Sequence, residues 1–253
     1  MRLLTLARDL SRRKSRERQS LFVAEGVRSV EELLRSGLTI KGVLTAPQLD
    51  GAQRGSALRA SLDNAGVEVI QVSESEFRSA AETESPQGVL AIAAIPERSL
   101  DSIRGGTSLR LLVLDGIQDP GNVGTILRTA AALGADATVA LPGTVDFWNP
   151  KVVRAAMGAL YHHHALSSTS TQLFAFLADE KIPLWAADTH GKPVHDVPVP
   201  ARVALAVGNE GAGLSSSVRE LSAETVSLPI ASSTESLNVA VATGILLYEL
   251  RSR

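Results

Sequence analysis

"LLVLDGIQDPGNVGTILRTAAALGA", residues 111–135, decides the fold. An apolar run ends at Asp115, a loop carries Asp119, Pro120, Gly121 and Asn122, and a helical pattern follows with Thr125, Arg128 and Thr129 near its start. A short, nearly continuous apolar strand that passes through a loop into a helix is the unit of a parallel sheet covered on both faces. The helix start offers unpaired N–H groups and the positive end of the dipole, a seat for an anion. Neither GxGxxG nor GxxxxGK[ST] occurs there, so it is not a standard nucleotide loop. Helical side chains lean toward the N-terminus, so Arg128 is expected to reach back over the Asn122 loop. The alternative is an arginine on a solvated face with Asn122 as a simple N-cap.

Working outward, "ATVAL", "PLWAAD", "RVALAVG" and "TVSLPI" read as further strands separated by helical segments. In such sheets ligands bind beyond the carboxyl ends of the strands. "VALAVGNEGAGLSSSVREL", residues 203–221, runs from a strand into Gly208, Asn209, Glu210, Gly211 and Gly213. These glycines allow a tight turn against which a flat ligand can lie, and Glu210 sits in its middle. "LPIASSTESLNVAVATGILLYEL", residues 228–250, reads as a helix apolar on every side, the pattern of all-round burial. Ser236 and Asn238 stand at its front. Because Ser and Asn favour caps over helix interiors, the helix is expected to start at about Leu237 or Asn238, leaving both polar groups at a loop-to-helix junction. A capping box of Ser232 with Glu235 would start it earlier.

The first third alternates helices ("SRRKSRERQ", "GVRSVEELLRSG", "SALRASLDNAG") with strands ("IKGVLT", "VEVIQV", "GVLAIAAI"), a small α/β unit. "PERSLDSIRGGTS", residues 96–108, has the composition of a linker. A boundary is expected near residue 105, with one domain over 1–100 and a second over 107–253. The 253 residues allow one large or two modest domains, and 44% hydrophobic with 21% charged residues is a folding composition. A net charge of −2 advertises no overall positive field. With no cysteine there are no disulfides, thiol nucleophiles or thiolate metal sites. No signal-like apolar core is present at the N-terminus and no apolar run reaches the roughly 18 residues of a membrane helix, so a soluble cytoplasmic protein is expected.

Taken in order, "DGIQDPGNVGTILRTAAALGA", "NPKVVRAAMGAL", "VGNEGAGLS" and "LPIASSTESLNVAVATGILLYEL" resemble the SpoU/TrmH family of RNA ribose 2′-O-methyltransferases, knotted enzymes of the SPOUT class, over residues 110–250. The first domain resembles the small α/β substrate-binding module that often precedes the catalytic one, with "LFVAEGVRSVEELL" as its clearest phrase. The resemblance implies a parallel-sheet catalytic domain with a deep trefoil knot, S-adenosyl-L-methionine held bent by the knotted loops, and a homodimer formed through that domain. It matches Asn122 and Arg128 to the first motif, Glu210 to the second, and Ser236 and Asn238 to the third. The donor is expected at Gly208, Asn209, Gly211, Leu228, Ile230 and Leu237, largely through backbone groups. One departure is that Ile230, Ala231 and Ser232 stand where the family usually has Met, any residue and Gly.

A guanidinium is nearly always charged. Arg128 is therefore expected to bind a neighbouring phosphate and stabilise the developing alkoxide, with Asn122, Ser236 and Asn238 orienting the ribose. Glu210 either orients Arg128 or holds its loop. "RRKSRER", residues 12–18, sets five positive charges against one negative. Such a run is usually a solvated helix face; with the resemblance, Arg12, Arg13, Lys14 and Arg16, and separately Arg154, become candidate RNA contacts. No metal is expected, because "HHH" at 162–164, read as a strand, points its side chains alternately to opposite faces. Ribosomal RNA is the preferred substrate and transfer RNA the alternative. The rivals are a nucleotide-dependent oxidoreductase or ligase, and a non-catalytic RNA-binding protein of the same fold.

Overall fold

The computed structural model describes residues 2–231 and 236–251. The chain divides into two compact units, Met1–Glu97 with Trp148–His162, and Arg98–Phe147 with His163–Arg253.

The first unit begins with α1 (Arg2–Asp9), α2 (Arg13–Gln19), β1 (Leu21–Glu25), α3 (Val27–Arg35), β2 (Ile40–Thr45), α4 (Gln53–Asn64), β3 (Val69–Gln71), α5 (Glu74–Arg78) and β4 (Val89–Ala94). Its sheet has the order β1-β4-β2-β3, with β4 antiparallel to both neighbours and β3 parallel to β2. One face buries Val23, Leu44, Leu90 and Ile92 with Leu3, Leu4, Ala7 and Leu10 of the N-terminal segment.

The second unit opens with β5 (Leu109–Asp115), α6 (Pro120–Ala132) and β6 (Ala137–Ala140). The chain then contributes α7 (Pro150–Ala155) and α8 (Ala159–His162) to the first unit. There the rings of Trp148 and Tyr161 pack 4.5 and 5.7 Å from Phe22, and Tyr161 Oη lies 2.6 Å from Ser29 Oγ. Residues 148–162, placed by the sequence reading in the 107–253 domain, thus complete the other face of the first sheet. Gly158 makes their close approach to α3 possible: its φ is +90°, and a Cβ there would sit 2.7 Å from Glu32 Cβ and Cγ.

The second unit continues with β7 (His164–Ser167), α9 (Ser170–Asp179), β8 (Leu184–Pro193), β9 (Arg202–Gly208), α10 (Ser216–Leu221), β10 (Glu224–Ser227) and α11 (Val239–Arg251). Its six strands are ordered β10-β8-β9-β5-β6-β7, and every neighbouring pair is parallel. The parallel sheet implied by the apolar runs is present. β5 and β9 pair in register from Leu109↔Arg202 to Asp115↔Gly208, so their loops start side by side. The chain leaves β5 toward β6 and β7 and then returns on the other flank, which makes the β5/β9 boundary the topological switch point where ligands bind.

The last helix departs from the all-round burial expected of it. Val241, Ile245 and Tyr248 are exposed while Ala240, Thr243, Leu246, Leu247 and Leu250 are buried. Among the described residues no helix is long and apolar enough to cross a membrane.

Candidate active site

Three loops meet beyond the strand ends. Asp119 caps α6 by accepting the Asn122 N–H at 2.7 Å, with Pro120 as the first helical residue. Asn122 is therefore not the N-cap, and its side chain is available for other contacts. Its Nδ2 donates to Glu210 Oε1 at 2.7 Å. Asn238 Nδ2 donates to Asn122 Oδ1 at 3.0 Å and to Glu210 Oε1 at 3.1 Å. Asn238 Oδ1 meanwhile accepts from the Ala240 and Val241 N–H groups at 3.0 and 3.3 Å, capping α11 at the position expected. The Ser232–Glu235 capping-box alternative lies outside the described residues.

The glycine turn is built by Asn209. Its Oδ1 accepts from the Gly211 and Ala212 N–H groups at 2.9 and 3.0 Å, and its Nδ2 donates to the Gly116 carbonyl at 3.0 Å. Asn209 and Gly213 exchange backbone hydrogen bonds, and a Cβ on Gly208 would lie 2.4 Å from the Gly213 carbonyl carbon. Gly is required at 208 because the chain doubles back on itself there. Buried Asp115 holds the exit of the turn through the Ser215 N–H at 2.6 Å.

Beside the glycine turn and Asn238, with Asn122 outside its lining, lies a cavity of about 660 Å³, within the range of small-molecule sites. Gly208, Asn209, Glu210, Gly211, Leu228, Ile230, Ser236, Leu237 and Asn238, all expected at a site, line it. Leu228, Ile230, Leu237, Val239 and Leu246 supply apolar wall for a flat ring, while Glu210 supplies negative charge for a cationic centre. The chemistry of this lining fits an adenosyl group joined to a sulfonium.

Arg128 is elsewhere, contrary to the shared site expected of it. It borders a separate groove of about 640 Å³ between α6 and α11, with Thr125, Thr129, Val241, Ile245 and Tyr248. At 100° per residue, six residues rotate its side chain 240° from that of Asn122, whereas Thr125, three residues before it, is its neighbour along the helix. Glu210 binds Asn122 and Asn238.

A model of the SpoU rRNA methylase family matches residues 110–248. The chain belongs to the SpoU rRNA methylase family. A second model, an MRM3-like substrate binding domain, matches residues 5–91. The chain is 35% identical to the 23S rRNA (guanosine(2553)-2'-O)-methyltransferase RlmP of Bacillus subtilis, covering 96% of this chain and 93% of that protein. The SpoU methyltransferase AviRb from Streptomyces viridochromogenes, solved with the cofactor AdoMet, superposes with a TM-score of 0.90 at 30% identity, covering 98% and 96% of the two chains. A structure described by the 2-OH methylation of C/U34 on tRNA matches 57% of this chain and 95% of its own, with a TM-score of 0.52 at 28% identity.

In this SpoU family member polar residues that sequence reasoning missed also line the cavity: Asp188, Thr189, His190, Arg219 and Ser227. The available signal was Asp188 itself, a carboxylate at the end of an apolar strand in a parallel sheet.

Of the candidate RNA contacts, Arg12, Lys14 and Arg154 are exposed, and exposed Arg13 pairs with Glu17 at 2.7 Å. Arg16 is a correction. It is 2% exposed and its Nη1 donates to the Leu10 and Ser11 carbonyls at 2.8 Å each, so it ties down the α1–α2 turn. The three histidines are not on one strand: His162 ends α8, His163 bonds Thr138 Oγ1 at 2.7 Å, and His164 starts β7 and lies 3.0 Å from Ser102 Oγ. Among the described residues no group of three or more His, Asp or Glu is arranged to hold a metal ion.

Proposed function

We propose that this methyltransferase moves a methyl group from S-adenosyl-L-methionine to the 2′-hydroxyl of one ribose in ribosomal RNA, in the cytoplasm and as a homodimer through its second unit. The observation that carries the reading is the Asn122–Glu210–Asn238 cluster at the rim of a cavity floored by the Gly208–Gly213 turn. Ribosomal RNA is favoured because RlmP of Bacillus subtilis, matched along 96% of this chain, is named for 23S rRNA, whereas the transfer-RNA structure matches only 57% of the chain.

When bound, the donor supplies a methyl already activated on a sulfonium. Leu228, Ile230 and Leu237 would hold its flat ring, beside the backbone of the 208–211 turn. Ile230 occupies the wall although the family's Met-x-Gly is replaced there; Ser232 lies outside the described residues. Asn122, Ser236 and Asn238 orient the acceptor ribose, so that alignment contributes most of the rate. Glu210, fastened by two amides, holds the Asn122 and Asn238 side chains in place. The trefoil knot, formed by the C-terminal segments, belongs to the same reading.

The homodimer is supported by the exposed apolar face of Val241, Ile245 and Tyr248 on α11. Arg128 borders that face, so it acts at the subunit interface, where its fixed charge stabilises the forming alkoxide. The first unit binds the RNA through phosphate contacts of Arg12, Arg13, Lys14 and Arg154.

Mapping ribose methylation across total RNA from cells with and without the protein tests this reading. One 2′-O-methyl group is expected to disappear from ribosomal RNA. An unchanged ribosomal map, or a loss confined to transfer RNA, overturns it.

A further inference from the structure

β8 continues beyond its apolar part, and Asp188 is the first charged residue after it. Its carboxylate lines the cavity with a side chain 18% exposed. Oδ2 meets Arg219 Nη1 at 3.0 Å, and Oδ1 accepts the His190 backbone N–H at 3.1 Å. Arg219 also donates from Nε to the Leu214 carbonyl at 3.1 Å, so the guanidinium fastens Asp188 to the exit of the glycine turn. These contacts hold the carboxyl below its usual range, the His190 N–H first and the Arg219 charge after it. It is therefore an acceptor-only group; His190 Nδ1 also lies 3.3 Å from Oδ1, so the lone-pair capacity left for a ligand is on Oδ2, beside Arg219.

The sheet order sets where that capacity is used. β8 flanks β9 on the side away from β5. Asn122 follows β5, so Asp188 and the Asn122–Glu210–Asn238 cluster stand on opposite flanks of one cavity. In an adenosyl donor the sulfonium hangs on the 5′ carbon, and the 2′ and 3′ hydroxyls project from the opposite edge of the sugar. A methyl aimed at the acceptor cluster turns those hydroxyls toward β8.

We propose that Asp188 is the donor-recognition residue that accepts hydrogen bonds from the ribose hydroxyls of the methyl donor. This rests on the function proposed above. Neutral hydroxyls suit a carboxylate whose charge Arg219 already balances; the ammonium of the donor's amino-acid tail would have to compete with that guanidinium.

The test is calorimetric titration of the full chain with S-adenosylhomocysteine and its 2′-deoxy and 3′-deoxy forms. Wild type is expected to lose about tenfold in affinity when a hydroxyl in contact is removed, the size of one hydrogen bond to a charged group. Asp188→Ala should lose a similar factor for the parent compound and nothing further for that deoxy form. Arg219→Ala, which breaks the ion pair but keeps the acceptor, should retain the hydroxyl dependence. Asp188→Asn, nearly the same shape, should weaken the parent compound while its circular dichroism stays that of wild type. If the deoxy forms lose the same factor in Asp188→Ala as in wild type, or Asp188→Ala binds the parent normally, the inference is overturned alone. If wild type binds no S-adenosylhomocysteine, the functional reading falls first and this one with it.

Discussion

Asn122 Nδ2 donates to Glu210 Oε1 at 2.7 Å, joining residues 88 positions apart at the rim of the donor cavity. The second donor to that oxygen, Asn238 Nδ2, makes Glu210 the common anchor of two amides that belong to different loops. Removing it frees both amides without unfolding the rim, because Glu210 is exposed. Glu210→Ala should therefore lower kcat for RNA methylation at least about tenfold through lost alignment, with a melting temperature close to wild type. Steady-state kinetics check this; an unchanged kcat would remove Glu210 from the machinery.

Arg128 lies on the α6–α11 face and not in the cavity. Its action at a subunit interface is testable by mixing two impaired proteins. In a two-fold dimer where Arg128 serves the partner's cavity, an Arg128→Ala subunit paired with a Glu210→Ala subunit rebuilds one complete site, returning about one quarter of wild-type activity after statistical exchange. No recovery on mixing would place Arg128 in the service of its own chain.

Ser29 and Tyr161 share a buried hydrogen bond of 2.6 Å, and both side chains are nearly inaccessible. Tyr161→Phe strands the Ser29 hydroxyl and should destabilise the protein by about 1–2 kcal/mol in urea unfolding. Adding Ser29→Ala should recover part of that loss, since no donor is then left buried without an acceptor. A strictly additive double variant would argue against the pair.

His163 is buried against Thr138, and burial, reinforced by the charges of Arg98 and His164, lowers its pKa from 6.5 to about 4. Between those values the unfolded chain binds the proton and the folded chain does not, so acidification favours unfolding. Stability should fall by on the order of 2–3 kcal/mol between pH 6.5 and 4, with no contribution from His163 above that window. His163→Gln should flatten this part of the stability curve; a difference curve without slope there would contradict the assignment.

How far the sequence could be read follows from where each signal resides. β9 matches the apolar run 202–208 residue for residue and β5 ends at Asp115 as expected, because central parallel strands are buried on both faces and need no alternation. The cap of α11 was equally legible, since Asn beside a helical pattern has a local reason to be there. β8 was read as ending at Asp188 but extends to Pro193, and its polar extension carries no apolar pattern. Arg16 was hidden among like charges, and nothing local distinguishes a guanidinium that caps two carbonyls from one that faces water. The excursion of residues 148–162 into the first unit and the turn of Arg128 onto the α11 face are tertiary facts, set by what Phe22 and α11 offer as partners.

Arg12 and Lys14 are exposed on the first unit, and Arg13 beside them makes a surface ion pair with Glu17. Such a pair contributes about 0–1 kcal/mol and yields easily to a phosphate. The double variant Arg12→Glu, Arg13→Glu should weaken ribosomal RNA binding and lower the slope of log affinity against log salt. A salt response unchanged from wild type would move the RNA surface elsewhere.

The most direct measurement is methyl transfer by the purified protein from isotopically labelled S-adenosyl-L-methionine to unmodified ribosomal RNA, followed by nuclease digestion and mass spectrometry of the nucleosides. Label in a single 2′-O-methylnucleoside, lost in the Asn122→Ala and Arg128→Ala proteins, is the predicted result. Label on a base, or no transfer to ribosomal RNA at all, would contradict the account.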